Sequence, residues 1–301
     1  MANLIYQETP LQELFSSTLE VNGVRIIVKR EDRNHPRVSG NKWWKLKYNL
    51  EEAIRQNKTT LLTFGGAYSN HIYATSAAAH ELGLQSMGII RGEETGPLNS
   101  TLVFAREQGM RLHYVTREAY RHKSEAAFIE NLKFQFGEFY LIPEGGTNKL
   151  AVKGCEELAK KIIAQADCDY ICLPVGTGGT MTGMITGLEG NKEVIGYAAL
   201  KGGEFLKDDV RNQLINYSGK VWNNWRIETA YHFGGYGKCP GELTDFISGQ
   251  WKTHHLPLDT VYTSKMMFGI FDGVKKGMFR KGATILALHT GGLQGKTELS
   301  E

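Results

Sequence analysis

The sequence has little cysteine and no long apolar run. Its four cysteines form no CxxC pair and no zinc-ligand spacing, so they predict no metal site. The first residues have neither the basic start nor the apolar core of a signal peptide. No run approaches the roughly 18 consecutive apolar residues of a membrane span. We therefore expect a cytoplasmic protein that has no membrane partner.

A large excess of one charge is also missing. The chain has 35 lysines and arginines against 32 aspartates and glutamates, and its formal net charge is only +3. The basic residues are spread along the chain, so no nucleic-acid partner is predicted. What the sequence does have is length and apolar content. Its 301 residues, 41% of them hydrophobic, suffice for a large core and about two domains.

Short apolar runs alternate with helical patterns, which indicates βαβ units and parallel sheets. The first series has predicted strands at 60–64, 85–90, 111–115 and 139–142, separated by helices at 69–82, 99–108 and 117–134. The second has strands at 170–175, 194–199 and 284–288, and the segment 25–29 joins it. We predict an α/β fold of two doubly wound domains, formed by 1–43 plus 146–301 and by 44–145. The cleft between them is the expected ligand site.

The first candidate site is Lys42, which lies on the first turn of a helix predicted to begin near Asn41. Cations are disfavoured at helix N-termini, so the neutral amine is favoured there. A neutral amine is what imine chemistry with an aldehyde cofactor requires. The alternative is a solvated surface lysine. On the same helix Lys45 belongs to a polar stripe with Asn49, and we expect Lys45 to point to water.

A second motif follows the predicted strand at 60–64. Ser69 is a natural N-cap for the next helix, and the free N–H groups of that helix start can hold a carboxylate. The alternative is a cap with no ligand. His71 lies inside the helix, where a core or surface role is more common than catalysis.

The third motif, a glycine-rich turn, is the most specific single signal. A buried strand leads into a loop and a helix, which predicts a phosphate cradle of backbone N–H groups made by Gly176, Thr177, Gly178, Gly179 and Thr180. No Gly-Lys-Ser/Thr follows, and Met181 occupies the third glycine position of the dinucleotide fingerprint. Phosphate binding without a nucleotide motif favours pyridoxal 5'-phosphate (PLP). A simple strand-to-helix turn is the alternative.

These motifs, with Glu144-Gly-Gly, Val261-Tyr-Thr and His289-Thr-Gly-Gly, occur in one order along the chain. In that order they resemble the fold-type-II PLP enzymes, specifically the 1-aminocyclopropane-1-carboxylate deaminase and D-cysteine desulfhydrase family. The resemblance runs from about Leu11 to Gly292, and six motifs in order are far more specific than one. It implies a fold like that of the tryptophan synthase β subunit and a homodimer.

The resemblance also implies roles for individual residues. Lys42 would carry the cofactor as a Schiff base and move protons at the substrate Cα. Asn70 would bind the cofactor's ring oxygen and Ser69 the substrate carboxylate, while residues 176–180 would hold the phosphate. Tyr262 and Tyr236 match the family's active-site tyrosines, which transfer protons or orient the substrate.

Two threonines bear on the reaction. At Thr263 the ring-opening deaminases have a glutamate that faces the pyridine nitrogen, and at Thr290 they have leucine. A neutral hydroxyl makes the ring a weaker electron sink, which suits elimination of a good leaving group. Trp44 and Tyr68 depart from the family pattern, where arginine and glutamine are usual. We expect both to lie beside the substrate pocket.

The sequence therefore predicts a PLP-dependent lyase that deaminates a small amino acid by Cα deprotonation and β-elimination to a 2-oxo acid and ammonia. D-Cysteine, or a related D-amino acid with a β leaving group, is the preferred substrate. One alternative is the ring-opening 1-aminocyclopropane-1-carboxylate deaminase, which yields 2-oxobutyrate and ammonia. The others are a non-catalytic PLP carrier or sensor and, against the failed fingerprint, a nicotinamide dehydrogenase.

Overall fold

The computed structural model describes residues 4–94 and 96–295. In these ranges the strands are β1 (Leu11–Leu14), β2 (Arg25–Lys29), β3 (Thr60–Gly65), β4 (Gln85–Arg91), β5 (Met110–Val115), β6 (Tyr140–Ile142), β7 (Tyr170–Val175), β8 (Glu193–Ala198), β9 (Trp225–Glu228) and β10 (Thr284–Leu288). The helices are α1 (Ser17–Asn22), α2 (Asn41–Arg55), α3 (Asn70–Glu81), α4 (Ser100–Glu107), α5 (Arg117–Arg121), α6 (Ala126–Phe136), α7 (Lys149–Gln165), α8 (Gly179–Leu188), α9 (Leu206–Ser218), α10 (Gly241–His254) and α11 (Thr263–Lys275).

The strands form two sheets. The larger has the order β1-β2-β10-β7-β8-β9, and the smaller has the order β5-β4-β3-β6. All pairs are parallel except β1 with β2. The predicted α/β class with mostly parallel sheets is confirmed. The predicted single helix at 117–134 is wrong, because the chain turns at 122–125 and divides it into α5 and α6.

Helices cover both faces of the larger sheet, so its central strands are apolar at nearly every position. Alternate residues of β7 enter two different cores. Ile171 and Leu173 share one core with Leu158 of α7, while Cys172 shares the other with Ile270 of α11. Among the helices in the described ranges, none has the length and apolar character that a bilayer crossing requires.

The strands of the smaller sheet all come from the predicted domain at 44–145. The predicted boundary at 43/44 falls within α2, which packs against α7 of the other part of the chain. Gly154 of α7 lies so close to the Trp44 carbonyl that a β-carbon would overlap it. The division into 1–43 plus 146–301 and 44–145 stays a prediction.

Candidate active site

A cavity of about 810 Å³ opens where the carboxyl ends of β3, β4 and β7 face one another. Parallel sheets commonly place ligand sites at this edge. The predicted site residues that line the cavity are Lys42, Ser69, Asn70, Gly176, Thr177, Gly178, Gly179, Thr180, Tyr236, Tyr262 and Thr290. Thr263 is the one predicted site residue that does not line it.

Lys42 lies on the first turn of α2, as the sequence predicts. The turn before it is fixed by Asn34, whose side chain donates to the Gly40 carbonyl and accepts the Gly40 N–H, both at 2.9 Å. Lys42 Nζ donates to Asn41 Oδ1 at 3.2 Å. Burial lowers the pKa of Lys42 to about 8. Desolvation at the cavity floor therefore favours the neutral amine.

Lys45 does not point to water, so that prediction is wrong. Its side chain is buried, and Nζ donates to Thr147 Oγ1 at 2.8 Å and to Thr177 Oγ1 at 3.5 Å inside the cavity. Burial and, after it, the nearby Lys42 charge lower the pKa of Lys45 to about 7. The polar stripe was misread because it faces the segment at 144–148 and not solvent. Asn49, from the same stripe, is also fully buried.

The glycine turn after β7 provides a cradle for an anion. Gly178 has φ +79°, and a β-carbon there would meet Gln213 Nε2 at 3.0 Å. A β-carbon on Gly179 would meet Thr147 Oγ1 at 2.9 Å. The first N–H groups of α8, a ten-residue helix, point toward this space and form its positive end.

Together with Lys45, this turn fits the phosphate group of PLP. A buried ammonium whose side-chain partners are hydroxyl oxygens lacks a counter-charge, and a phosphate at the helix start would supply one. Asn41 Nδ2 also donates to Thr180 Oγ1 at 2.9 Å, which joins the start of α2 to the turn. The sequence missed Lys45, although its position three residues after Lys42 was a usable signal.

Ser69 is the N-cap of α3, as predicted. Its Oγ accepts the N–H groups of His71 at 3.2 Å and Ile72 at 3.3 Å, which leaves its own hydroxyl proton free for the cavity. Asn70 Oδ1 accepts a hydrogen bond from Gln294, so its Nδ2 group is the donor that remains for a ligand.

His71 lines the cavity but is held from behind. Its Nε2 lies 2.8 Å from Thr63 Oγ1, and that hydroxyl donates to the Ile142 carbonyl at 2.8 Å. The imidazole must therefore donate through Nε2. Burial, followed by the charges of Lys42 and Lys45, lowers its pKa well below the usual value, so the ring is neutral.

Tyr236 and Tyr262 form a pair on the opposite wall, with ring centroids 5.9 Å apart. Burial raises the pKa of Tyr262 well above its usual value, and that of Tyr236 is also raised by burial. Both phenols are therefore protonated at neutral pH. Lys265, which is buried, donates to the carbonyls of Gly235 at 2.8 Å and His232 at 3.0 Å, and so fixes the loop that carries Tyr236.

Thr263 is engaged outside the cavity. Its hydroxyl donates to Asp259 Oδ1 at 2.5 Å and accepts the Asp259 N–H at 3.0 Å. The same carboxylate accepts the N–H groups of Val261, Tyr262 and Thr263 at 2.7–2.8 Å. Thr290, in contrast, lines the cavity.

The two departures from the family pattern lie in different places. Tyr68 lines the cavity mouth and is 70% exposed. Trp44 is buried away from the cavity, and its Nε1 donates to the buried Glu31 at 2.7 Å. The expectation that Trp44 lies beside the pocket is therefore wrong, because this face of α2 packs on Tyr6 and Trp43.

Known proteins share this sequence and fold. A family model described as "Pyridoxal-phosphate dependent enzyme" matches residues 2–216. The mitochondrial bifunctional D-cysteine desulfhydrase/1-aminocyclopropane-1-carboxylate deaminase of Arabidopsis thaliana is 31% identical over 91% of this chain and 74% of its own. A 1-aminocyclopropane-1-carboxylate deaminase of Bradyrhizobium sp. strain ORS 278 is 30% identical over 96% of this chain and 93% of its own. A crystal structure of an ACC deaminase homologue, 30% identical, superposes with a TM-score of 0.84 over 98% of this chain and 92% of that one.

Proposed function

The chain belongs to the family of pyridoxal-phosphate dependent enzymes, and within it we propose a β-eliminating lyase that deaminates a small amino acid. The family resemblance read from the sequence is confirmed, and PLP is the cofactor. Our first candidate substrate is D-cysteine, which is named for the Arabidopsis relative. We propose that Lys42 carries the cofactor and that Lys45 and residues 176–180 hold its phosphate.

Bound PLP draws electrons from the substrate Cα and so makes its proton removable. We assign the transfer of that proton to Lys42 Nζ. Its pKa of about 8 leaves far more neutral amine near pH 7 than the ordinary value of 10.5 would. The floor of the cavity is shielded from bulk water, which keeps the amine available as a base.

Substrate orientation is assigned to the start of α3. The Ser69 hydroxyl and the first N–H groups of that helix offer hydrogen-bond donors to the substrate carboxylate. Asn70 Nδ2 is directed to the cofactor's ring oxygen. Tyr262 and Tyr236, both protonated, are placed to donate a proton to the departing group.

The observation that favours elimination is the chemistry of the wall formed by Thr290 and Tyr262. Both offer neutral hydroxyls, and the nearby Asp259 spends its carboxylate on backbone N–H groups and on Thr263. In our proposal Thr290 therefore takes the place facing the pyridine nitrogen that Thr263 was expected to occupy. Without a carboxylate there the ring nitrogen is not held protonated, and the weaker electron sink suits a substrate that loses thiolate.

The ring-opening deaminase is the second candidate, and the name of the Bradyrhizobium relative favours it. Release of pyruvate from D-cysteine and of 2-oxobutyrate from 1-aminocyclopropane-1-carboxylate separates the two activities. We expect pyruvate release to have the larger kcat/KM. If ring opening dominates, elimination is not the main activity and the argument from Thr290 fails.

A non-catalytic carrier or sensor would need only the lysine and the phosphate turn, whereas Ser69, Tyr236 and Tyr262 also line this cavity. Cofactor binding with no turnover across D- and L-amino acids would revive that alternative. Lys42→Ala should remove both the colour of the bound cofactor and the turnover, and Lys47→Ala on the same helix is the control. We also propose a cytoplasmic homodimer, on the family resemblance.

A further inference from the structure

One cation at the mouth of the cavity is not used by the proposed reaction. Arg91 is the last residue of β4 and lines the cavity beside the loop that leads to Ser69. A β-carbon on Gly66 of that loop would lie 3.6 Å from Arg91 Nη2. The guanidinium carbon lies 5.7 Å from the ring centroid of Tyr120. Within residues 4–94 and 96–295, no carboxylate forms an ion pair with Arg91.

The other charges near the mouth have different situations. Lys123 also lies over the Tyr120 ring, 4.9 Å from its centroid, but it pairs with Glu144 at 3.3 Å. Asp209 lines the far side of the cavity, on the first turn of α9. The Glu144 charge is thus compensated, while the positive charge of Arg91 has no such partner in the described chain.

The position of Arg91 relative to Ser69 sets the class of ligand that it can read. The Ser69 N–H donates to the Gly66 carbonyl at 3.0 Å, so Gly66 and Ser69 belong to one tight turn. With the substrate carboxylate at Ser69, Arg91 lies on the outer side of that turn. A guanidinium presents several fixed donors and binds carboxylate, sulfonate or phosphate groups through two hydrogen bonds.

We propose that Arg91 selects amino acids that carry a second anionic group, on Cβ or on the leaving group attached to Cβ. This inference rests on the proposed function and narrows its substrate class. In the elimination, the base takes the Cα proton and the Cβ–X bond breaks with its electron pair going to X. Water then releases the nitrogen, so the amino acid and one water yield a 2-oxo acid, ammonia and the anion X.

The test compares O-phosphoserine with O-acetylserine, in both enantiomers, because the two differ mainly in the charge of the leaving group. The variant is Arg91→Gln. The matched control is Arg111→Gln, which removes an exposed arginine from the neighbouring strand β5, outside the cavity lining. The readout is the ratio of kcat/KM for the two substrates, measured by pyruvate release. We expect the wild type and Arg111→Gln to favour O-phosphoserine, and Arg91→Gln to lower the ratio by about 10- to 100-fold.

Two outcomes would overturn the inference. One is a wild-type enzyme that does not favour the anionic substrate. The other is an Arg91→Gln variant in which both substrates lose kcat/KM equally, because Arg91 would then bind the common carboxylate. If no pyruvate forms from any substrate, the proposed function fails. The ratio of dissociation constants, from titrating the coloured enzyme with the same pair, still decides the role of Arg91.

Discussion

Replacing Lys45 by methionine should have opposite effects on the cofactor-free protein and on cofactor binding. A ten-fold change in proton affinity corresponds to about 1.4 kcal/mol. Lowering the pKa of Lys45 from 10.5 to about 7 therefore costs the protonated folded chain on the order of 5 kcal/mol. That penalty is fully present below pH 7 and fades as the pH rises to 10.5, because the unfolded chain holds the proton longer. Two lost hydrogen bonds, worth about 1 kcal/mol each, oppose the gain from Lys45→Met.

The assay is urea unfolding of cofactor-free protein at pH 6 and pH 9, followed by cofactor titration. We expect Lys45→Met to be more stable than the wild type at pH 6, by up to about 3 kcal/mol. The difference should shrink at pH 9. Cofactor affinity should fall about 10- to 100-fold, and inorganic phosphate should stabilise only the wild type. Lys47→Met, which removes a surface lysine paired with Glu157, is the control. Equal destabilisation at both pH values with unchanged cofactor affinity would refute the reasoning.

Three further variants test the supporting contacts. Ser69→Ala should raise KM more than it lowers kcat, and loss of the α3 cap should reduce the free energy of unfolding by about 1 kcal/mol. Lys265→Met should lower kcat while cofactor affinity stays near the wild-type value, because the Tyr236 loop loses its anchor; Lys265→Arg should recover part of the rate. Glu31→Gln should reduce the free energy of unfolding by about 3 kcal/mol, because it leaves the buried Lys29, 3.7 Å away, without a counter-charge; calorimetry measures it.

The parts of the fold that follow local rules were predictable. The central strands are buried on both faces, so β3, β4 and β7 read as continuous apolar runs and were placed within a residue or two. Edge elements were harder to find. The strands β1 and β9 are four residues each and only partly buried, which leaves no apolar run to detect.

The misreadings in the site share one physical cause. Helical periodicity gives the polar face of α2 but not what that face packs against. Lys45 and Asn49 are polar because they meet polar groups of the buried segment at 144–148, and Trp44 occupies the apolar side. Thr263 is a similar case. Its position matches the family motif, but its hydroxyl is engaged by Asp259, four residues earlier, and no sequence pattern shows that contact.

The two lysines of α2 show how one helix can supply a charged anchor and a neutral base. They lie three residues apart, so they share one face, and burial lowers both pKa values. Their partners differ. Lys45 reaches the hydroxyls of the phosphate turn, where an anion would restore its proton, whereas Lys42 has only the neutral amide oxygen of Asn41. An anion at residues 176–180 should therefore separate the two pKa values, with Lys45 charged to hold the phosphate and Lys42 free to exchange protons at Cα.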